Sequence, residues 1–357
     1  MKTIIQVVQH LTPGGIEVMA LEILRLKAKE THMIIVSLEG KKEDMLGKWS
    51  RLKRFEDNLI FLNKKPGYSL ITLTKLLYIF TKHQPIAVLS HHIGPLFYAG
   101  LCARLSFVKN IIHTEHDAWH LEDQDRRKLE HKLLRLVRPT FVADSKTVQC
   151  SFEKYIPNIK SQVISNGIDT EYFSPGDRKT ARKELKLPEH DYIIGSAGRL
   201  EKVKGHHILI KSLIHLPENY CVAIAGSGSQ LQHLKQLAVE HKVSHRVYFL
   251  GHQESMQRFY QSLNVFCLPS FNEGMPLAPL EAQACNVPCI LSNVGGCVEA
   301  MCPKSGQLIP AGSPSALSEA ILQISSIESE LAPRDFVVKH ANIKTMTHKY
   351  IELCLAG

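Results

Sequence analysis

Short runs of aliphatic and β-branched residues alternate with amphipathic stretches along the whole chain, and this alternation constrains the fold more than any other feature. Seven runs lie in the first half, from TIIQVV to SQVIS, and six lie in the second, from DYIIGSAG to QLIP. Strands that alternate with helices are typical of βαβ units and parallel sheets. We therefore predict an α/β fold with two doubly wound, parallel-sheet domains. One closed eight-stranded barrel is the alternative architecture.

The length of 357 residues also favours two domains, because single cores stop growing at roughly 250–300 residues. The segment 163–177, VISNGIDTEYFSPGD, follows a predicted strand and contains the turn-forming residues Asn166-Gly167 and Ser174-Pro175-Gly176. We therefore predict domains over residues 1–168 and 169–340. Residues 342–355 are predicted to form a final helix.

The composition is that of a soluble globular protein, with 44% apolar and 22% charged residues. The start, MKTIIQVVQH, is predicted to be a buried first strand rather than a signal peptide, because its apolar run is short. No stretch offers about 18 uninterrupted apolar residues, so no spanning helix is expected. Nine cysteines without a C-x-x-C pair indicate a reduced, cytoplasmic protein.

The sequence offers two candidate metal sites, and both are minor alternatives. One is formed by four cysteines: Cys285, Cys289, Cys297 and Cys302. Structural zinc sites have more closely spaced cysteine pairs, so these are predicted to be small buried residues. The other is HTEHD, residues 113–117, where two histidines and two acids crowd the end of a strand. Since no helical H-E-x-x-H is present, we predict no metal there either.

The positive charge is confined to the first half of the chain. Residues 1–168 contain 25 Lys and Arg against 16 Asp and Glu, while residues 169–357 contain 18 of each, so the net charge of +9 belongs to the first half. This asymmetry predicts an anionic partner, such as a membrane surface or a phosphorylated acceptor. The segment LEDQDRRKLEHKLLRLVRP is predicted to be a basic amphipathic helix with Leu129, Leu133, Leu136 and Val137 on its apolar face. It is either a solvated helix or a peripheral membrane contact; no nucleic-acid motif is present.

Three loops that follow predicted strands have features of phosphate-binding loops. Gly14 and Gly15 precede a helix, whose N-terminal amides can face an anion, although the pattern is neither G-x-G-x-x-G nor a P-loop. Arg199 and Lys204, in SAGRLEKVKG, can clamp a diphosphate with one forked and one compact cation. A third set of candidate backbone contacts, including those for a nucleotide base, is Gly226, Ser227, Gly228 and Gly251.

The most specific segment is LPSFNEGMPLAPLEAQACNVP, in which seven residues separate Glu273 from Glu281. Glu281 is placed on a helix that begins near Pro276, where it can accept hydrogen bonds from ribose hydroxyls, and Glu273 can do the same for a hexose. Backbone amides around the helix start suit phosphate or sugar oxygens. These candidate amides belong to Gly274, Met275, Leu277 and Ala278.

Together these motifs resemble the retaining glycosyltransferases of family 4, which have two Rossmann-like domains facing each other across a cleft (the GT-B type). The resemblance runs from VISNGIDTEYFSP through GRLEKVKGHHILIKS, AGSGSQLQHLKQLA and the two-glutamate segment to SNVGGCVEA. It implies that residues 341–357 pack back on the first domain. It also implies that Gly14 and Gly15 form the family's glycine turn, and that His116 is its catalytic-loop histidine.

The resemblance further implies that Arg199 and Lys204 bind the donor diphosphate, Glu273 the donor sugar and Glu281 the ribose. The family's EGFGLVPLEA-like sequence is EGMPLAPLEA in this chain, and Pro276 removes one backbone donor from the segment that contacts the donor sugar in the family. The implied activity is sugar transfer from a nucleotide-diphosphate sugar to a carbohydrate or lipid-linked hydroxyl, without a cofactor. A sugar-nucleotide epimerase and a non-catalytic binder of an anionic glycan or lipid are the alternatives.

Overall fold

The computed structural model describes residues 1–326 and 333–356, which form two compact units. Unit 1 comprises Met1–Asn166 and the chain from Ile343 onward, and unit 2 comprises Gly167–Asn342. The change of unit at Asn166–Gly167 lies inside the turn-rich segment 163–177. No helix among the described residues is both long enough and apolar enough to cross a membrane.

Unit 1 is built on a seven-stranded parallel sheet with the order β3-β2-β1-β4-β5-β6-β7. Its strands are β1 Lys2–Val8, β2 Thr31–Ser37, β3 Leu59–Phe61, β4 Ala87–His91, β5 Asn110–Glu115, β6 Thr140–Ala143 and β7 Ser161–Val163. Because both faces of the sheet are covered, its strands are nearly continuous apolar runs. In β1, Ile5 and Val7 belong to one core cluster and Ile4 and Val8 to another.

Helices on both faces of the unit 1 sheet complete this domain. They are α1 Gly15–Arg25, α2 Lys42–Lys48, α3 Leu70–His83, α4 Ile93–Pro95, α5 Leu101–Leu105, α6 Gln124–Val137, α7 Lys146–Tyr155 and α16 Ile343–Leu355. Shorter helical segments are Ser50–Asn58, Leu96–Gly100 and Trp119–Glu122. Local capping explains where two of the helices start: Asp123 accepts hydrogen bonds from the amides of Asp125 and Arg126, and Ser145 accepts one from Val148.

The final helix, α16, packs in unit 1 through a buried apolar side. Tyr350 is fully buried, and its hydroxyl accepts a hydrogen bond of 3.2 Å from Oγ1 of Thr114. The side-chain amide of Asn110 donates to the carbonyl of Cys354 at 2.9 Å. These contacts tie the end of the chain to β5.

Unit 2 is built on a six-stranded parallel sheet with the order β10-β9-β8-β11-β12-β13. Its strands are β8 Tyr192–Ala197, β9 Tyr220–Ala225, β10 Val247–Gly251, β11 Val265–Leu268, β12 Cys289–Ser292 and β13 Gln307–Ile309. Its α-helices are α8 Arg178–Glu184, α9 His206–Ser212, α10 Leu231–Glu240, α11 Met256–Gln261, α12 Leu277–Ala284, α13 Cys297–Ala300, α14 Pro314–Ser325 and α15 Pro333–His340. Three short 3₁₀ segments are Lys202–Lys204, Leu213–His215 and Ser244–Arg246.

The two parallel sheets confirm the predicted α/β class and exclude the single barrel. Each predicted run overlaps one observed strand. Three helical predictions need correction. The amphipathic pattern of residues 16–29 predicts a helix that reaches Lys29, but α1 ends at Arg25, because the chain has to turn into β2 at Thr31. The pattern of residues 205–215 predicts one helix, but the structure has α9 followed by a 3₁₀ turn, and Gly205 precedes α9 with a left-handed φ of +67°.

The third correction concerns the apolar face of α6. Its buried side consists of Glu130, Leu133, Leu134 and Val137, which follow the i, i+3, i+4, i+7 spacing. Leu136 lies outside this stripe and is 65% exposed. A buried glutamate therefore occupies the side on which a continuous apolar face was predicted.

Candidate functional site

The topology of unit 2 places its candidate residues at the carboxyl edge of the sheet. The strand order reverses between β8 and β11, and ligands of open α/β sheets bind at such a switch point. Arg199 and Lys204 follow β8, and Glu273 follows β11. Three candidate residues from two separate stretches of sequence are therefore brought to the two strands that flank the switch point.

Lys204 and Glu273 form an ion pair at this point. The Nζ of Lys204 donates a hydrogen bond of 2.7 Å to Oε1 of Glu273, and the hydroxyl of Ser270 donates to the same oxygen at 2.7 Å. The Glu273 side chain is 7% exposed and that of Lys204 is 20% exposed. A buried carboxylate held by two donors has a fixed orientation, so both charges are preorganised.

Arg199 is an unpaired cation at this edge among the described residues. Its side chain is exposed, and its guanidinium makes no ion pair or hydrogen bond with the described residues. The neighbouring acid Glu201 is held elsewhere, because it accepts hydrogen bonds from the amide of Ser229 at 3.0 Å and from its hydroxyl at 2.7 Å. The Arg199 fork is therefore available to an anionic ligand.

Glu281 lies on α12, next to a fully buried tyrosine. The hydroxyl of Tyr260 donates a hydrogen bond of 2.6 Å to Oε2 of Glu281. Burial, together with the charge of Glu281, raises the pKa of Tyr260 well above its usual value, so Tyr260 stays a donor. This bond fixes the carboxylate of Glu281.

The start of α12 offers backbone groups rather than side chains. Pro276 precedes the first helical residue, Leu277, as predicted, and Ala278 follows within the first turn. The side chain of Met275 is buried with Leu280 in an apolar cluster, so it does not face a ligand. The carbonyl of Gly274 accepts a hydrogen bond of 2.8 Å from the amide of Gly296.

Gly295 and Gly296, in the SNVGG segment, support the Glu273 loop, a role that the sequence alone did not reveal. Gly295 has a φ of +49°, and a Cβ there would lie 1.7 Å from the carbonyl oxygen of Glu273. A Cβ at Gly296 would lie 2.3 Å from that of Gly274. Only glycine lets the two loops approach this closely. The sequence signal was the Gly-Gly pair after a strand.

Gly295→Ala is expected to lower the free energy of unfolding by about 2 kcal/mol or more, because it combines backbone strain with a main-chain collision. Urea denaturation of the two purified proteins measures the difference. The matched control is Gly47→Ala in α2, where a Cβ meets nothing within 4 Å. Because alanine favours the helix, the control should be neutral or slightly stabilising. Equal stability of Gly295→Ala and the wild type would contradict the structural account.

The loop after β9 is held by backbone contacts. The amide of Gly226 donates to the carbonyl of Gly251 at 2.7 Å, and the carbonyl of Ser227 accepts from the amide of Leu200 at 2.9 Å. A Cβ at Gly226, whose φ is +138°, would lie 2.0 Å from the carbonyl oxygen of Gly198, and one at Gly228 would strike the backbone of Leu200. These glycines therefore let the loops after β8, β9 and β10 pack together beside Arg199.

Unit 1 has its own switch point, between β1 and β4. Gly14 and Gly15 follow β1, where Gly14 precedes the first turn of α1 and Gly15 begins the helix. His91 ends β4, and His92 follows it. The two glycines and the two histidines therefore occupy the carboxyl edge of this sheet, where ligands bind in open α/β sheets.

His116 lies just beyond β5, next to His91. Its Nε2 is 3.2 Å from Nδ1 of His91, and its Nδ1 is 3.4 Å from Oδ2 of Asp144. Burial is the main cause that lowers the pKa of His116, to about 3, and the charge of His92 adds to it. His116 is therefore a neutral imidazole at physiological pH, suited to hydrogen bonding rather than to ion pairing.

The residues around His116 form a larger polar cluster than the sequence suggested. His92 donates a hydrogen bond of 2.6 Å to Glu115, and His120 donates one of 2.7 Å to Glu130. Burial alone would lower the pKa of His92, but the charge of Glu115 outweighs it and raises the value to about 9. Likewise, hydrogen bonds to Asp117 and Glu130 outweigh burial and raise the pKa of His120 to about 10. Part of this cluster could have been predicted, because the histidines of SHH and HTEHD lie in or directly after β4 and β5, which are neighbouring strands. No sequence pattern pointed to Glu130.

The four cysteines of the zinc alternative are all buried free thiols. Burial raises the pKa of Cys285 to about 12 and that of Cys289 well above its usual value. Cys289 lies in β12 and Cys285 directly follows α12. The groups of described side chains close enough to hold a metal consist of histidine and carboxylates in unit 1.

Two Rossmann-like units, each with its polar residues at a switch point, define the GT-B class of fold. A family model described as "Glycosyltransferase Family 4" matches residues 13–172, and one described as "Glycosyl transferases group 1" matches residues 177–336. The chain belongs to this glycosyltransferase family.

Curated relatives agree with this assignment. A D-inositol 3-phosphate glycosyltransferase of Corynebacterium urealyticum is 32% identical over 257 residues, which cover 66% of this chain and 60% of the relative. A UDP-Gal:alpha-D-GlcNAc-diphosphoundecaprenol alpha-1,3-galactosyltransferase of Escherichia coli is 31% identical over 64% of this chain and 62% of the relative. The chain thus spans less than two thirds of the length of these relatives.

Solved structures share the fold. The Anabaena protein HepE, crystallised with UDP and glucose, superposes with a TM-score of 0.87 at 18% identity, covering 99% of both chains. At this identity the likeness establishes the architecture alone.

Proposed function

We propose that this protein is a retaining glycosyltransferase that moves a hexose from a nucleotide-diphosphate sugar to an acceptor hydroxyl. The observation that carries the proposal is the arrangement at the unit 2 switch point, where the exposed Arg199 and the Lys204–Glu273 pair lie in the loops after the two strands that flank it. Fixed cations beside a fixed acid match a ligand that has a diphosphate next to a sugar.

In the proposed reaction, the bond between the sugar C1 and the diphosphate oxygen breaks, and a bond from C1 to the acceptor oxygen forms. Negative charge develops on the leaving diphosphate, where Arg199 and Lys204 stabilise it. The acceptor proton passes to the leaving phosphate oxygen on the same face of the sugar, which retains the anomeric configuration. We assign no enzymic nucleophile and no cofactor.

The other candidate residues receive positioning roles in this proposal. Glu273 orients the hexose hydroxyls and Glu281 the ribose hydroxyls, because both carboxylates are already held by a neighbouring donor. The backbone at Gly274–Ala278 and at the glycines after β1, β9 and β10 contacts the donor. His116, a neutral imidazole, is proposed to hydrogen-bond the substrate.

The relatives' names support a particular substrate class. The name of one relative mentions a UDP-galactose donor and a diphospho-lipid acceptor, and the name of another mentions an inositol phosphate acceptor. We therefore propose a UDP-sugar as donor and an anionic or lipid-linked carbohydrate as acceptor, as in the synthesis of a surface polysaccharide or glycolipid. The positive charge of residues 1–168 is the feature of this chain that suits such an acceptor.

A donor panel tests the proposal. UDP-, GDP- and ADP-sugars are incubated with the protein, and released nucleoside diphosphate is measured with and without lipid-linked or phosphorylated acceptors. Acceptor-dependent release from a UDP-sugar is expected, and NMR of the product should show the anomeric configuration of the donor. Conversion of the donor into an epimeric nucleotide sugar without an acceptor, and without net release of nucleoside diphosphate, would favour the epimerase. Binding without turnover would favour the non-catalytic alternative.

We also propose that unit 1 docks on an anionic membrane surface on the cytoplasmic side. An open apolar groove of 280 Å³ lies between α3, α5 and α6, and it is lined by Leu73, Leu77, Leu101, Cys102, Arg104, Leu105 and Leu136. Leu105 and Leu136 are 67% and 65% exposed. Lys132 and Arg135, exposed on α6, add positive charge on the same helix as Leu136. Apolar side chains among cations suit the interface of an anionic bilayer.

The double substitution Leu105→Ser/Leu136→Ser is expected to reduce binding to phosphatidylglycerol vesicles about tenfold, because less apolar area is buried in the lipid. Vesicle flotation measures the bound fraction. Val239→Ser is the matched control, since Val239 is a 64% exposed apolar residue of unit 2. Wild-type protein that floats equally with phosphatidylcholine and phosphatidylglycerol, or with neither, would contradict anionic docking.

A further inference from the structure

Three fully buried side chains of unit 1 direct atoms that lack a hydrogen-bond partner at one point. They are His113 and Glu115 on β5 and Glu130 on α6. The Nε2 of His113, Oε2 of Glu115 and Oε1 of Glu130 all lie within 4.8 Å of one another. Within residues 1–326 and 333–356, none of these three atoms has a hydrogen-bond partner. Buried polar atoms without a partner are costly, so this convergence calls for a ligand.

The remaining polar atoms of the three side chains are all held. Ser90 Oγ is 3.1 Å from Nδ1 of His113, and the carbonyl of Ile112 is close enough to take the serine proton. The second oxygen of Glu115 accepts a hydrogen bond of 2.6 Å from His92, and that of Glu130 accepts one of 2.7 Å from His120. The ring and both carboxylates therefore have fixed orientations, as ligands supported by outer hydrogen bonds do in metal sites.

The spacing of the unpaired atoms fits a metal ion better than a proton. Nε2 of His113 is 3.5 Å from the Glu115 oxygen and 3.8 Å from the Glu130 oxygen. A charged imidazole bonded to a carboxylate would bring these atoms to about 2.7–2.9 Å. Ligands placed about 2.1 Å from a tetrahedral ion are separated by about 3.4 Å, close to the observed distances.

Contrary to the sequence-based prediction of no metal at residues 113–117, we propose that His113, Glu115 and Glu130 bind one divalent cation. One imidazole nitrogen and two carboxylate oxygens are the donors typical of Zn²⁺ or Mn²⁺ sites, with water completing the coordination. The ion joins β5, which carries His113 and Glu115, to α6, which carries Glu130. Glu115 also accepts a hydrogen bond of 3.2 Å from the amide of His116, so the ion stabilises the backbone on which His116 lies. The site is structural, and it does not depend on the proposed transfer reaction.

The test uses untagged full-length protein, because a histidine tag would bind metal itself. The protein is stripped with a chelator and titrated with Zn²⁺ and with Mn²⁺ in a calorimeter, and its melting temperature is recorded with and without each ion. One ion per chain and a rise in melting temperature of about 5 °C or more are expected. Co²⁺ as a third probe should give a visible absorption band from its bound ligands.

Glu130→Gln is expected to abolish the stoichiometric binding and the Co²⁺ band, because an amide is a poor ligand. The matched control, His131→Gln, changes the next residue of α6, which is exposed, and should bind as the wild type does. The proposal is overturned if stripped wild-type protein binds neither ion at one per chain. This result does not require the variant to fold. It would mean that His113 is a charged imidazole between two acids. Unchanged binding by folded Glu130→Gln would also overturn it, since the ion would then lie elsewhere.

Discussion

Replacing Arg199 with alanine is expected to lower the turnover number for transfer about 100- to 1000-fold. Its effect on the amount of folded protein is expected to be much smaller than this. Arg199 is exposed and makes no ion pair or hydrogen bond with the described residues, so its removal leaves no buried charge uncompensated. What is lost is a forked cation directed at the charge that develops on the leaving diphosphate, and removing one such donor costs this much in other enzymes. Initial rates of nucleoside diphosphate release from the best donor measure the change.

The matched control is Lys202→Ala, an exposed cation in the same loop, which should retain near wild-type turnover. A general loss of positive potential would slow both variants equally, whereas loss of a specific contact slows only the first. Near-normal turnover by Arg199→Ala would contradict its contact with the leaving group.

Replacing Glu273 with glutamine is expected to lower the catalytic efficiency about 100-fold while leaving nucleoside diphosphate binding intact. Glutamine keeps the shape of the side chain and can still accept from Ser270, but it loses the charge that holds Lys204 and the second carboxylate oxygen assigned to the sugar. A hydrogen bond to a charged group contributes about 1.5–3 kcal/mol, which corresponds to roughly 10- to 150-fold. Lys204, freed from its partner, should bind the diphosphate at least as well as before.

Two measurements on Glu273→Gln separate its proposed role from a purely structural one. Steady-state kinetics give the efficiency, and calorimetry gives the affinity for UDP. Glu240→Gln, at an exposed position of α10, serves as the control and should change neither. Equal losses of UDP affinity and efficiency would indicate that Glu273 supports the loop rather than the sugar.

The fold was predictable because its strands are buried on both faces. Parallel strands such as β1 and β8 are nearly continuous apolar runs, which are visible without knowing their neighbours. Helix limits were less predictable, since they depend on tertiary contacts. Leu136 has the spacing of a core residue but is exposed, while Glu130, an ordinary charge in the sequence, is fully buried beside two histidines. A buried acid has no sequence signature until its partners are known.

The candidate site was predictable in its parts but not in its pairings. Lys204 and Glu273 were each assigned to a ligand, yet their 2.7 Å contact joins residues 69 positions apart. The same holds for Tyr260, which fixes Glu281 and was not singled out at all. The Gly295 contact with the carbonyl of Glu273 depends on two loops after different strands. Such pairings follow from strand order, which the sequence pattern alone leaves undetermined.

The most direct test of the central claim, that the unit 2 switch point binds a diphosphate through Arg199 and Lys204, is calorimetric titration with UDP, GDP and ADP. The account predicts that wild-type protein binds one nucleoside diphosphate per chain, and that the double variant Arg199→Ala/Lys204→Ala binds it at least about 100-fold more weakly, as expected when two charge-assisted contacts are lost. Wild-type protein that binds none of the three, or a folded double variant that binds with unchanged affinity, would contradict it.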